Sequence, residues 1–110
     1  MCNCTVCRKN CGSAYFAFAV FEADKVKITG ELNGHTSIVV DRRFCPSCGS
    51  LICIDRPGTG ESIIAIGTFD DNPPWRPEYE LYVRSRLDWL PQVDGVARFS
   101  EYRDGEPLDD

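Results

Sequence analysis

Three thiols within six residues, Cys2, Cys4 and Cys7, constrain this chain more than any other feature. Cysteines so close in sequence cannot bridge one another without strain, whereas Cys-x-Cys-x2-Cys can wrap a single soft cation. Nor are the thiols needed as scaffolding. A chain of 110 residues has the length of one domain and buries roughly two-thirds of the surface its unfolded form exposes, enough for a hydrophobic core. Seven cysteines also make an odd number, which suits a disulfide framework badly. Met1-Cys2-Asn3-Cys4 opens without the basic and apolar stretches of a secretory signal, so a cytoplasmic location with reduced thiols is expected. Three ligands are one short of a closed tetrahedron. A fourth from Cys11, Cys45, Cys48 or His35 would make a structural site, and an open position would make a catalytic one.

Cys45-Pro46-Ser47-Cys48-Gly49 forms a second group, a Cys-Pro-x-Cys-Gly knuckle in which glycine lets the backbone curl beneath the sulfurs. A redox dithiol is the competing reading. Redox dithiols sit at helix starts that lower the thiol pKa, and the following Ser50-Leu51-Ile52-Cys53-Ile54 reads as a strand, so metal is favoured. Cys53, inside that apolar run, reads as an inert core thiol. Cys11 is open to three roles: ligand, resolving thiol or packing. The only histidine, His35, follows a turn signal and reads as solvated. Asp70 and Asp71 read as turn caps, and Trp75, Trp89 and Phe99 as core or pocket wall.

The expected fold is mostly β. Ala14 to Phe21 is apolar throughout and predicts a central strand covered on both faces. Lys25 to Thr29 alternates polar with apolar, Asn33-Gly34 signals a tight turn, and Thr36 to Val40 follows, together predicting a hairpin. Ser50–Ile54, Ser62–Ile66 and Tyr79–Val83 are further strands, with Pro57-Gly58-Thr59-Gly60 as a turn and Asp70 to Pro74 as a loop. Helix is expected only after Thr5 and around Arg86 to Leu90. A formal charge of -5 has the wrong sign for gathering phosphates, which argues against nucleic acid. No window is long and apolar enough to span a bilayer, so no membrane partner is expected. One domain over residues 1–102 with a flexible tail over 103–110 is the expected organisation.

Four motifs occur in order: Cys2-x-Cys4-x2-Cys7-Arg8-Lys9-x2-Gly12-Ser13-Ala14-Tyr15, Arg43-Phe44-Cys45-x2-Cys48-Gly49-Ser50, Gly67-Thr68-Phe69-Asp70-Asp71, and Ser85-Arg86-x2-Trp89 with Asp94-Gly95. In these the chain resembles the glutathione-dependent formaldehyde-activating family, from Cys2 to about Phe99. The resemblance implies an Mss-four-like fold of small coiled antiparallel sheets around zinc. It also implies a catalytic zinc on Cys2, Cys4 and Cys7, and half of a structural zinc site on Cys45 and Cys48. Family members carry the other half as a Cys-x-Cys pair on an upstream hairpin. That pair lies before the point where this sequence begins, so Met1 is expected to be an internal methionine of a longer protein. The uncovered sheet edge would then invite a homodimer. Glu80 stands where the family often has histidine after the Pro77-x-x step, a departure that bears on substrate preference.

The implied activity is that of a carbon-sulfur lyase-type enzyme, with glutathione as thiol co-substrate adding to formaldehyde or a related aldehyde. From another class comes a non-catalytic zinc module for protein contact, since the same domain occurs in a centromere protein. A third alternative is a thiol switch using Cys7 and Cys11.

Overall fold

A computed structural model describes residues 1–37 and 40–109. Backbone contacts divide the chain into two compact units, Met1–Ala17 with Pro73–Asp110, and Phe18–Asn72.

The Phe18–Asn72 unit is built on a five-stranded antiparallel sheet. Its strands are β1 (Phe18–Glu22), β2 (Asn33–Thr36), β3 (Asp41–Phe44), β4 (Leu51–Arg56) and β5 (Glu61–Ala65), in the order β1-β5-β4-β3-β2. The two hairpin-linked strands β4 and β5 hold the centre because they carry near-continuous apolar runs, the pattern of strands covered on both faces. Cys53, Ile54, Ile63, Ile64 and Ala65 are all buried. Between them Thr59 closes the turn, donating its N–H and Oγ1 hydrogen to Arg56 O.

Three expectations are corrected here. The apolar run from Ala14 to Phe21 does not form a central strand: only Phe18 onward joins the sheet, at its edge and half-buried. Apolarity alone does not tell an edge strand from a central one, and the β4–β5 hairpin takes the middle. Lys25 to Thr29 is not a strand, because Ala23–Lys25 is a 3-10 turn and residues 26–29 are irregular. Its alternation has no burial behind it, Ile28 being 40% exposed. Asn33-Gly34 is not the hairpin turn but lies within β2, with Gly34 opposite Arg43. The reversal sits one step later, where Ser37 N–H and Oγ–H both donate to Val40 O at 2.9 Å. Of the strand expected over Thr36 to Val40, Ile38 and Val39 lie outside the described residues.

The other unit contains helix α1 (Thr5–Cys11) and a two-stranded parallel ladder of β6 (Tyr79–Glu80) and β7 (Ala97–Arg98). Cys2 pairs antiparallel with Phe16 on one side and parallel with Leu81 on the other, so the start of the thiol run is itself a rung of β structure. Met1, Cys2, Phe16, Leu81 and Val96 form the apolar core of this unit. Arg86 to Leu90 is not helical: a 3-10 turn occupies Val83–Ser85 instead, and residues 88–89 form a turn. The segment from Arg103 is tied back, with its guanidinium 5.5 Å from the Tyr79 ring centroid and Leu108 N–H donating to Arg98 O at 2.6 Å. Among the described residues no helix is long and apolar enough to cross a membrane.

Candidate metal centre

The thiol run is positioned from both ends. Upstream, Cys2 N–H donates to Phe16 O and Phe16 N–H to Cys2 O, each at 2.9 Å, while Asn3 N–H donates to Leu81 O at 3.1 Å. Downstream, the chain turns into α1 at Cys4, whose Sγ accepts from Cys7 N–H at 3.3 Å and so caps the helix with a prospective ligand. The helix stops at Gly12, left-handed at φ 65, with its N–H on Arg8 O at 2.9 Å. A Cβ there would meet nothing within 4 Å, so Gly12→Ala should cost about 1 kcal/mol through backbone strain alone. Denaturant unfolding measures this, and an unchanged midpoint would refute it.

This framework brings the sulfurs of Cys2, Cys4 and Cys7 within 4.8 Å of one another, with Cys2 buried and the other two half-buried. Cys2 and Cys7 are linked through one hydrogen bond. A hydrogen bond from the Cys7 thiol holds Cys2 down at about 6 against the opposing effect of burial. The same bond, with burial behind it, pushes Cys7 up. A pair in which Cys2 gives up its proton readily and Cys7 resists losing its own is suited to a cation that replaces the second proton.

Cys11 is not part of this group: its thiol turns toward the backbone, 3.6 Å from Tyr15 O and 3.9 Å from Arg8 O. All seven thiols are free. Cys45 and Cys48 lie in the connection between β3 and β4, just after a register shift at Arg43/Phe44 that bends the strand into the knuckle. Gly49, at φ 77, donates its N–H to Cys45 O, and Cys45 N–H donates to Ser50 O, both at 2.8 Å. The exposed Cys48 thiol lies 3.0 Å from Ser50 Oγ, and that hydrogen bond lowers its pKa. Cys53 is fully buried, and burial pushes its thiol up, as an inert core residue requires. His35 is exposed on β2. Asp70 and Asp71 are also exposed. Trp75 and Trp89 are not core, being 49% and 71% exposed.

The structural roles of three residues, Asn3, Glu80 and Tyr82, escape sequence reasoning. Asn3 is fully buried, and its Nδ2 donates to Glu80 Oε1 at 2.9 Å and to Leu81 O at 3.0 Å. Glu80, 1% exposed, also takes Arg86 Nε at 2.9 Å and Arg98 Nε at 3.4 Å. It is a buried counter-ion that fixes the residue between Cys2 and Cys4. Spacing does not announce this, since its partners lie at positions 3, 86 and 98 and follow no common period. Tyr82 is the one described non-glycine residue with positive φ, at 55. An aromatic residue held there stores strain of the order of 1 kcal/mol. Its N–H is fixed by Glu101 O at 2.9 Å, and Arg84 sits 5.9 Å from its ring centroid while pairing with Glu101 at 2.7 Å. Burial raises the phenol pKa, and the Cys4, Glu101 and Cys2 charges add to the rise. Aromatic residues carry no sequence signal for a left-handed backbone.

The described residues make a small, mostly β protein with a cluster of three thiols that could hold a metal ion. A family model described as glutathione-dependent formaldehyde-activating enzyme matches residues 1–85, and the chain belongs to that family. Membership points to an enzyme acting on formaldehyde with glutathione. The matched span ends before Trp89, Asp94 and Gly95 and before Arg86 and Arg98, the two cationic partners of Glu80. Comparison with curated proteins finds no match.

Proposed function

We propose that the chain binds zinc through Cys2, Cys4 and Cys7 and condenses glutathione with formaldehyde to S-hydroxymethylglutathione, a carbon-sulfur lyase-type activity. One observation carries this reading: three sulfurs within 4.8 Å in a family that acts on formaldehyde with glutathione. The donor set suits the ion. Thiolates are its preferred soft ligands, and on a tetrahedral centre with 2.3 Å bonds they stand about 3.8 Å apart, a modest contraction of the group. Among the described residues of its own unit no fourth Cys, His, Asp or Glu joins the group, in keeping with the open position of the proposed site.

When bound, zinc would supply a Lewis-acidic site that keeps a thiol deprotonated at neutral pH. The chain's own residues supply position. Cys2 is set by the Phe16 and Leu81 rungs, Cys4 and Cys7 by the first turn of α1, and Asn3 by Glu80. In the reaction the glutathione sulfur forms a bond to the carbonyl carbon, the C=O π bond breaks, and the proton given up by the thiol ends on the new hydroxyl. Formaldehyde is electrophilic enough that proximity and thiolate supply are the main demands on the protein.

We read the fold as Mss-four-like, with Cys45 and Cys48 as half of a structural zinc site; the hydrogen-bonded curl from Cys45 to Ser50 supports the assignment. The test is elemental analysis of the purified protein together with the rate of S-hydroxymethylglutathione formation followed by NMR. About one zinc or more per chain and a rate above that of buffer are expected. Zinc without acceleration would favour a protein-contact module, and absence of zinc would overturn the metal assignment.

A further inference from the structure

We propose that Arg8 selects an anionic thiol as co-substrate, its guanidinium docking a carboxylate of the molecule whose sulfur is brought to Cys2, Cys4 and Cys7. The inference deepens the function proposed above and rests on it. It begins with the faces of α1. Cys4, Cys7, Arg8 and Cys11 are half-buried, whereas Thr5, Val6, Lys9 and Asn10 are exposed, so one stripe at i, i+3, i+4 and i+7 turns inward. Arg8 is the only cation on that stripe. It stands one helical turn beyond Cys4, to whose carbonyl its N–H donates at 3.0 Å.

The guanidinium is unspent. Its Nε is shut off from solvent, and nothing among the described residues accepts from it. Nor does it pair with a described carboxylate, although Arg43, Arg56, Arg84, Arg86 and Arg98 all do. Arg42, on β3 in the other unit, also has an Nε shut off from solvent without an acceptor; what sets Arg8 apart is its place on the helix stripe that carries Cys4 and Cys7. A buried charged donor without an acceptor is costly, and its natural complement is a carboxylate, which matches the planar fork in two hydrogen bonds.

The charge of the whole chain gives such a residue a further role. Glutathione is a net anion at neutral pH, and a protein of formal charge -5 repels it. Screening cuts that repulsion off beyond about 8 Å at physiological salt, so a cation on the helix stripe that carries Cys4 and Cys7 offsets it locally.

Calorimetric titration with glutathione and with its dimethyl ester, which keeps the thiol and masks both carboxylates, tests the proposal. The wild-type protein should bind glutathione at least about tenfold more tightly than the ester. Arg8→Gln should bind both alike, at the level of the ester. Lys9→Gln makes the same charge change on the exposed face and should keep the discrimination. Arg8→Lys, which retains the charge and loses the fork, should keep only part of it. Should Arg8→Gln fail to fold, the ester comparison on the wild type and Arg8→Lys decide the matter. Zinc content, measured for every variant, confirms that the thiol cluster is intact. Equal affinities in the wild type, or discrimination that survives in Arg8→Gln, would overturn the docking role. Discrimination by Arg8 with no acceleration of formaldehyde addition would instead overturn the proposed function and leave the carboxylate site standing.

Discussion

Cys4→Ser should purify with less than about a tenth of the wild-type zinc at the thiol cluster, and its rate of S-hydroxymethylglutathione formation should fall by at least about a hundredfold. A neutral hydroxyl replaces a thiolate poorly on a soft cation, and removing one of three protein ligands leaves two, a geometry that zinc sites avoid. What makes this substitution informative is the second role of Cys4. Its Sγ caps α1 by accepting from Cys7 N–H at 3.3 Å, and serine is among the preferred N-cap residues. The helix therefore keeps or improves its cap while the metal is lost. Circular dichroism should show an unchanged helical signal beside the fall in zinc found by elemental analysis. Full zinc content in Cys4→Ser would rule out the cluster as the metal site.

The second large effect is on stability. Glu80 presents a side chain 2% exposed to Arg86 and Arg98, themselves 10% and 17% exposed, and to Asn3 Nδ2. Removing one partner from such a group leaves buried charge uncompensated, which costs about 3–5 kcal/mol. Set against a total stability of roughly 5–15 kcal/mol, Glu80→Ala should lower the melting temperature by about 10–20 °C. Glu80→Gln keeps the shape and an oxygen that can accept from Asn3, so it should cost less. Because Asn3 lies between Cys2 and Cys4, both variants should also bind metal more weakly, by about 10- to 100-fold. A melting temperature within a degree or two of wild type for Glu80→Ala would show that the network contributes nothing.

The same residue shows where the sequence stops being readable. The thiol spacing locates the cluster, and the apolar runs at Ser50–Ile54 and Ser62–Ile66 locate β4 and β5 to within two residues, because spacing and apolarity are local properties. The start of α1 at Thr5 is legible for the same reason. Glu80 looks like a departure that bears on substrate, and only the fold reveals a counter-ion whose partners lie 6, 18 and 77 residues away along the chain. Lys25 to Thr29 fails in the opposite direction: its alternation is local, but no neighbouring strand takes it up. β7, two residues long, carries no periodicity at all and exists because β6 lies beside it.

The rung that joins the thiol run to Leu81 also sets an order of events during synthesis. Asn3 and Leu81 are 78 residues apart, and at 5–20 residues per second a ribosome separates them by roughly 4–16 s. Throughout that interval the three thiols are already made, yet the strand that orients them does not exist. Their spacing is entirely local, so a soft cation can gather them into a loop before any sheet has formed. Closing the chain over so long a separation is costly in entropy, and a loop already ordered by an ion lowers what remains to be fixed. A soft cation that the nascent chain meets in those seconds would thus be an input to its folding.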